Sequence, residues 1–198
     1  MHYLPKDLLF SLFRVVLSTV ISYFLGVLIA YTCYKYRRLK RIVIIPVNFL
    51  RHISPYCWLP LIIMFAGIGE IAVGIVMLMA MLFNAIVIGI GIFSALPVDV
   101  LESASLDGAY GMRLIRYIEL PLLYESLIDL FRVLWSVGWT ALIAAEMLGV
   151  QSGMGYRLLD FRYLLMYKEM LAYIAIIGTI GIITDYLFLS WQKTLKNS

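Results

Sequence analysis

Five apolar stretches, each long enough to cross a bilayer, constrain this chain more than any other feature. A span needs roughly 20 mainly apolar residues at 1.5 Å rise per residue. The stretches run from about Leu8 to Tyr34, Ile42 to Ala66, Ile71 to Leu96, Leu122 to Leu148 and Met170 to Trp191. A soluble domain of 198 residues would have to leave much of this surface in water, because 63% of the residues are hydrophobic and 14% charged, with a mean hydropathy of +0.94. Ordinary domains carry about a quarter charged residues. The pattern predicts an all-α polytopic membrane protein, a bundle of about five transmembrane helices, with residues 1–198 forming one membrane domain. No linker, low-complexity tract or repeat divides it. Cys33 and Cys57 form neither a disulfide framework nor a metal cluster and read as buried small hydrophobes.

The connectors orient the spans. Lys35, Arg37, Arg38, Lys40 and Arg41 crowd the first short loop, which should stay in the cytoplasm. The N-terminus is then outside, while the segment 97–121 and the C-terminal Lys193 and Lys196 are inside. Arg113 and Arg116 add to the inner side. Lys6, Arg157, Arg162 and Lys168 fall outside and run against the rule, but the inner side still holds the excess. The first span is too long for a removable signal peptide, and no small-residue cleavage site follows it.

The segment 97–121 is the informative one. It predicts a short helix, a break at Gly108 and Gly111, and a second short helix stopped by Pro121, which disfavours helix at Leu120. Asp99 is a candidate cap for the first helix. A compact helix–turn–helix of this kind can dock into a groove on a soluble partner. Glu102, Ala104, Gly108, Ile118, Leu120 and Pro121 stand at the spacings of the EAA loop, which the segment resembles, with Ser103 where that pattern has its first Ala. That loop belongs to the permeases of binding-protein-dependent ABC importers. Two more stretches resemble the nitrate/sulfonate/taurine branch: Arg51 to Leu61, with His52 where the branch usually has Pro, and Trp139 to Arg162. Together the likeness covers the chain from Ser11 onward.

The resemblance implies a type I importer permease in a bacterial-type plasma membrane. Its partners would be a second permease copy in a homodimer, a cytoplasmic ATPase dimer that grips the EAA loops, and an external solute-binding protein. The surroundings are membrane lipid, and no nucleic acid is involved. ATP and Mg would sit on the ATPase, with no cofactor on this chain. Glu102, Ser103, Ala104, Gly108, Ile118, Leu120 and Pro121 would couple to the ATPase. The solute would be a small anion such as a sulfonate, taurine or nitrate, and Arg51, Trp58, Trp139 and Glu146 are candidates for its pathway. Relatives in this branch typically have one more span ahead of the first one here, so a degenerate, non-transporting protein is the alternative.

Charges inside spans are costly and mark function by default. Arg51 lies about 15 Å into its span, so it should face protein or a watery cavity. It either satisfies carbonyls freed by Pro55 and Pro60 or contacts an anionic solute. Glu125, Asp129 and Arg132 follow helical spacing, which allows an Asp129–Arg132 pair at i, i+3. Arg14, Glu146 and Asp185 lie near span ends and are expected to snorkel. Ala85 with Gly89, Ala141 with Ala145, and Gly178 with Gly181 have the spacing of close helix contacts. An intramembrane protease is the remaining rival, and the motifs argue against it. Gly149–Gly153 has one residue too many for its serine turn, and His52 has no evident partner. No phosphate-binding Gly-Lys-Ser/Thr loop exists, so the chain is not expected to be an ATPase or another enzyme.

Overall fold

The computed structural model describes residues 4–196, without the side chains at 148, 191 and 193–196. His2 and the side chains of Lys193 and Lys196 therefore lie outside the described residues. Among the described residues nine helices follow in order: α1 (Leu4–Lys35), α2 (Arg37–His52), α3 (Pro55–Ala66), α4 (Glu70–Ser94), α5 (Val98–Leu106), α6 (Met112–Leu114), α7 (Leu120–Gly149), α8 (Met154–Tyr163) and α9 (Tyr167–Lys196). A π turn at Ile115–Glu119 joins α6 to α7. Among the described residues four helical stretches are long and apolar enough to cross a membrane, and the bent pair α2–α3 makes five if it is counted as one broken span.

Small residues bring the central helices together. A Cβ on Gly26 of α1 would overlap that of Ala85 on α4, and one on Gly89 would lie 2.7 Å from Ala30 Cβ. The pairs advance in the same direction, so α1 and α4 run parallel. Helix α7 lies antiparallel against both, with Gly138 under Met81 and Val15 and Gly149 under Val73. Lipid gives no hydrophobic drive to helix association, so contact area must supply it, and glycine and alanine permit the close approach. The buried core follows this seam through Val15, Met77, Met81, Leu130, Leu134 and Leu142. Ala141 and Ala145 are buried in it. Of the pair on α9, Gly181 packs on Trp139, while a Cβ on Gly178 would meet nothing within 4 Å.

Helix α9 is held on one side only. Trp139 Nε1 donates to the Ile177 carbonyl at 3.3 Å and Trp135 Nε1 to Thr184 Oγ1 at 3.2 Å. Leu171, Ile182, Tyr186 and Leu187 on the same helix are exposed. Cys33 is buried as expected, but Cys57 is exposed on α3.

The stretch from Ile42 to Ala66 is not one rod. It bends by 94° between α2 and α3. Ser54 precedes Pro55 and is driven out of the helical region, to φ −56° and ψ 129°, as a residue before proline should be. Ile53 is extended too. Pro46 and Pro60 sit inside their helices without ending them.

Candidate functional site

Three places hold the chemistry. The first is the segment after α4. Helix α5 starts after Pro97, and Asp99 lies in its first turn without a side-chain capping bond; its charge there still favours the helix dipole. The turn beyond uses Gly108 at φ +82° and Gly111 at φ +59°, backbone that favours glycine. Glu102 and Ser103 are exposed, and Ala104 is buried. Val98, Leu106, Tyr110, Met112 and Tyr117 stand out from the segment at 62–87% exposure. These exposed apolar side chains make the excursion a candidate interaction surface.

Pro121 does not end a helix. It falls in the first turn of α7, and a continuous helical path runs from Met112 to Met147. Proline removes a hydrogen bond and crowds the carbonyl four residues back. The π turn just before it absorbs both effects, with the Leu120 N–H reaching the Ile115 carbonyl in an i→i+5 bond. Ile118, Leu120 and Pro121 therefore belong to the rod of α7, while Glu102, Ser103, Ala104 and Gly108 belong to the excursion. One covalent path connects them.

The second place is the far end of the bundle, where sequence spacing predicted only snorkelling charges. Arg14 is 6% exposed and Glu146 is fully buried. All five guanidinium donors are used. Nε and one Nη bind the Glu70 carboxylate at 2.7 and 2.5 Å, and the other Nη binds Glu146 at 2.5 Å. Ser152 accepts the remaining two through its carbonyl at 2.9 Å and its Oγ at 2.5 Å. Glu146 also accepts from Ser11 Oγ at 2.8 Å and from the Gly155 N–H at 2.9 Å. A Cβ on Gly153, at φ +101°, would collide with the Glu146 carboxylate, and one on Gly155 would collide with the Ile143 carbonyl. The loop around Ser152–Gly155 is thus folded onto a buried charge.

Arg157, which runs against the charge rule, has its own partners. It pairs with Asp7 at 3.0 Å and with Asp160 at 3.0 Å. The hydrogen bond to Asp7 raises its pKa above the ordinary value, so it stays charged yet balanced. At the opposite end Arg132 binds Asp185 on α9 at 2.7 Å, while Asp129 accepts from Gln192 at 2.8 Å. The expected Asp129–Arg132 pair is absent among the described residues, because α9 offers each of them a better partner.

The third place is a cavity of about 360 Å³ at the α2–α3 break, closed by α4 and α7. Arg51 and Trp58 line it, with Tyr56, Asn84 and Thr140 as other polar neighbours. No lining residue is acidic. Arg51 makes no hydrogen bond or ion pair with any described residue, so it does not satisfy carbonyls near Pro55 or Pro60. Trp58 Nε1 is buried without an acceptor. The first residues of α3 lie on the same wall, and a helix N-terminus carries positive partial charge. Of the four expected pathway residues, Arg51 and Trp58 are here. Trp139 packs on α9, and Glu146 is sealed in the ion cluster.

Known proteins are similar to this chain. A putative ABC transporter permease of Methanocaldococcus jannaschii is 27% identical over 188 residues, spanning 91% of this chain and 69% of that protein. The taurine transport system permease of Escherichia coli is 25% identical over 150 residues, 75% of this chain and 54% of that one. In structure, the chain matches the inward-facing methionine ABC transporter MetNI with a TM-score of 0.77, at 16% identity, over 98% of this chain and 95% of the other. The family model described as "binding-protein-dependent transport system inner membrane component" matches residues 22–196, and the chain belongs to that family, the permease subunits of ABC importers.

Proposed function

We propose that this permease, paired with a second copy of itself, passes a small oxyanion (sulfonate-, taurine- or nitrate-like) through the cavity at the α2–α3 break. The observation that carries the reading is the company kept there by Arg51. A cation without a partner, an indole N–H without an acceptor and a helix N-terminus share one cavity with no carboxylate on its wall. Broken helices in transporters present their half-helix N-termini to anionic groups in this manner. Similarity to the E. coli taurine permease supports the same class of solute.

Transport is driven from the α5 excursion. ATP and Mg are held by the separate ATPase subunits, whose surface receives Glu102, Ser103 and the exposed apolar residues beside them. Ala104 and Gly108 set the shape of the element, and Ile118, Leu120 and Pro121 carry its displacement into α7. The basic loop at Lys35–Arg41 lies at the same end of the bundle, where Lys40 Nζ donates to Ser94 Oγ at 3.1 Å. That end is cytoplasmic, and Glu70, Ser152 and α8 face outward toward the solute receptor.

The test is uptake into vesicles containing the assembled importer and its receptor, using taurine, an alkanesulfonate and nitrate. Arg51→Gln should slow uptake of the transported anion while ATP hydrolysis still responds to the receptor. Glu102→Lys and Gly108→Asp should instead leave the protein inserted but separate hydrolysis from uptake. Uptake of a neutral or cationic solute with none of the anions would reject the oxyanion reading. Normal transport by the Glu102 and Gly108 variants would remove the coupling role.

A further inference from the structure

A second cavity, of about 410 Å³, opens on the flank of α1, beside the π turn and away from the broken helix. Phe24, Leu28 and Tyr31 of α1 form one wall, and Glu119, Leu123 and Leu127 form the other. Everything lining it is apolar except Tyr31 and Glu119. Glu119 is 6% exposed, and its Oε2 is buried without a hydrogen-bond partner among the described residues, with Tyr31 as its polar neighbour across the groove. A buried carboxylate oxygen without a donor is costly, and a cation relieves it best.

The groove has a direction. Tyr31 and Glu119 sit at one end, and Phe24 and Leu127 lie roughly two turns deeper, about 10–12 Å along their helices. Phe24 and Leu28 are 67% and 59% exposed, so the groove opens sideways to the bilayer along its apolar length. Arg113 and Arg116 are exposed on the segment that leads into Glu119. We infer that this groove binds an aminophospholipid of the inner leaflet, with its ammonium on Glu119, its acyl chain along Phe24, Leu28 and Leu127, and its phosphate toward Arg113 and Arg116. The assignment to the inner leaflet rests on the orientation proposed above, whereas the groove and its carboxylate do not. An anionic glycerol headgroup brings no cation to the carboxylate and is disfavoured. Because Glu119 closes the π turn that links the coupling segment to α7, the bound lipid braces that turn.

The assembled importer in nanodiscs of equal phosphatidylethanolamine and phosphatidylglycerol provides the test, with retained lipids counted by native mass spectrometry. Retention should favour phosphatidylethanolamine by about tenfold or more, the discrimination of one charge-assisted hydrogen bond. Glu119→Gln should bring the ratio close to one. Leu28→Trp, which fills the mouth of the groove without touching the carboxylate, should lose the retained lipid at an unchanged melting temperature. Equal retention of the two lipids by the wild type would overturn the inference, as would a preference that survives in both variants. Failure of Arg51→Gln to affect anion uptake would leave this result untouched, so the two proposals fail separately.

Discussion

Two of the arginines on the spanning helices have opposite surroundings. Arg14 spends every donor on the protein, joining α1 to α4, α7 and the loop before α8. Arg51 makes no hydrogen bond or ion pair with any described residue and sits at a break in a helix, on the wall of a cavity. The same side chain is a fastening in one place and an open valence in the other. A charge whose partners are all internal cannot change them during transport without loosening the bundle. An unpaired charge can take a passing ligand at no such cost.

The comparison can be broken most readily at Arg14. Arg14→Gln strips the buried Glu146 of its charge partner, and breaking a buried pair from one side costs about 3–5 kcal/mol. Much less folded protein should reach the membrane, and what does should melt earlier in detergent. An unchanged melting temperature would dissolve the contrast. Next in size is Gly153→Ala. It combines left-handed backbone with a clash on the Glu146 carboxylate, and strain of that kind is of order 1–3 kcal/mol. A melting temperature within error of the wild type would show that the loop is not held by this charge.

Arg51→Gln should barely move stability, within about 0.5 kcal/mol as for substitutions without partners, while uptake falls by about tenfold or more, the worth of one charged hydrogen bond. The smallest effect is expected at Arg132→Gln. Its pair with Asp185 is partly exposed, at 30% and 45% for the two side chains. A small fall in melting temperature with uptake preserved would place this pair with Arg14 in kind but not in degree. A large loss of uptake would make it a second functional charge.

The contrast also explains what the sequence could reveal. The spans were legible because apolar length is a local property, and the short helix and turn after α4 because Gly108 and Gly111 are local signals as well. Arg14 and Glu146 were misread as snorkelling side chains because their partners lie 56 and 132 positions away, where no periodicity connects them. The Asp129–Arg132 pair failed for the related reason that α9, distant in sequence, outcompetes a neighbour on the same helix. Pro121 was read as a stop because the rule for proline assumes an α-helical register, and the π turn is the exception that accommodates it. Pro55 broke its span through the residue before it, while Pro46 and Pro60 did not, and a count of apolar residues is blind to that distinction. The glycines around Glu146 did leave a signal. Gly153 and Gly155 flank a single residue just beyond a span-borne acid, which is where backbone must close around a charge.

The account turns on whether the open valence at the broken helix serves the solute. Uptake by the importer in vesicles should be compared for wild type, Arg51→Lys and Arg51→Gln, with melting temperatures taken from the same preparations. The expected order is wild type first, the lysine variant reduced but active, and the glutamine variant nearly silent, all three equally stable. Equal uptake by the glutamine variant, or a loss of uptake that merely follows a loss of stability, would contradict it.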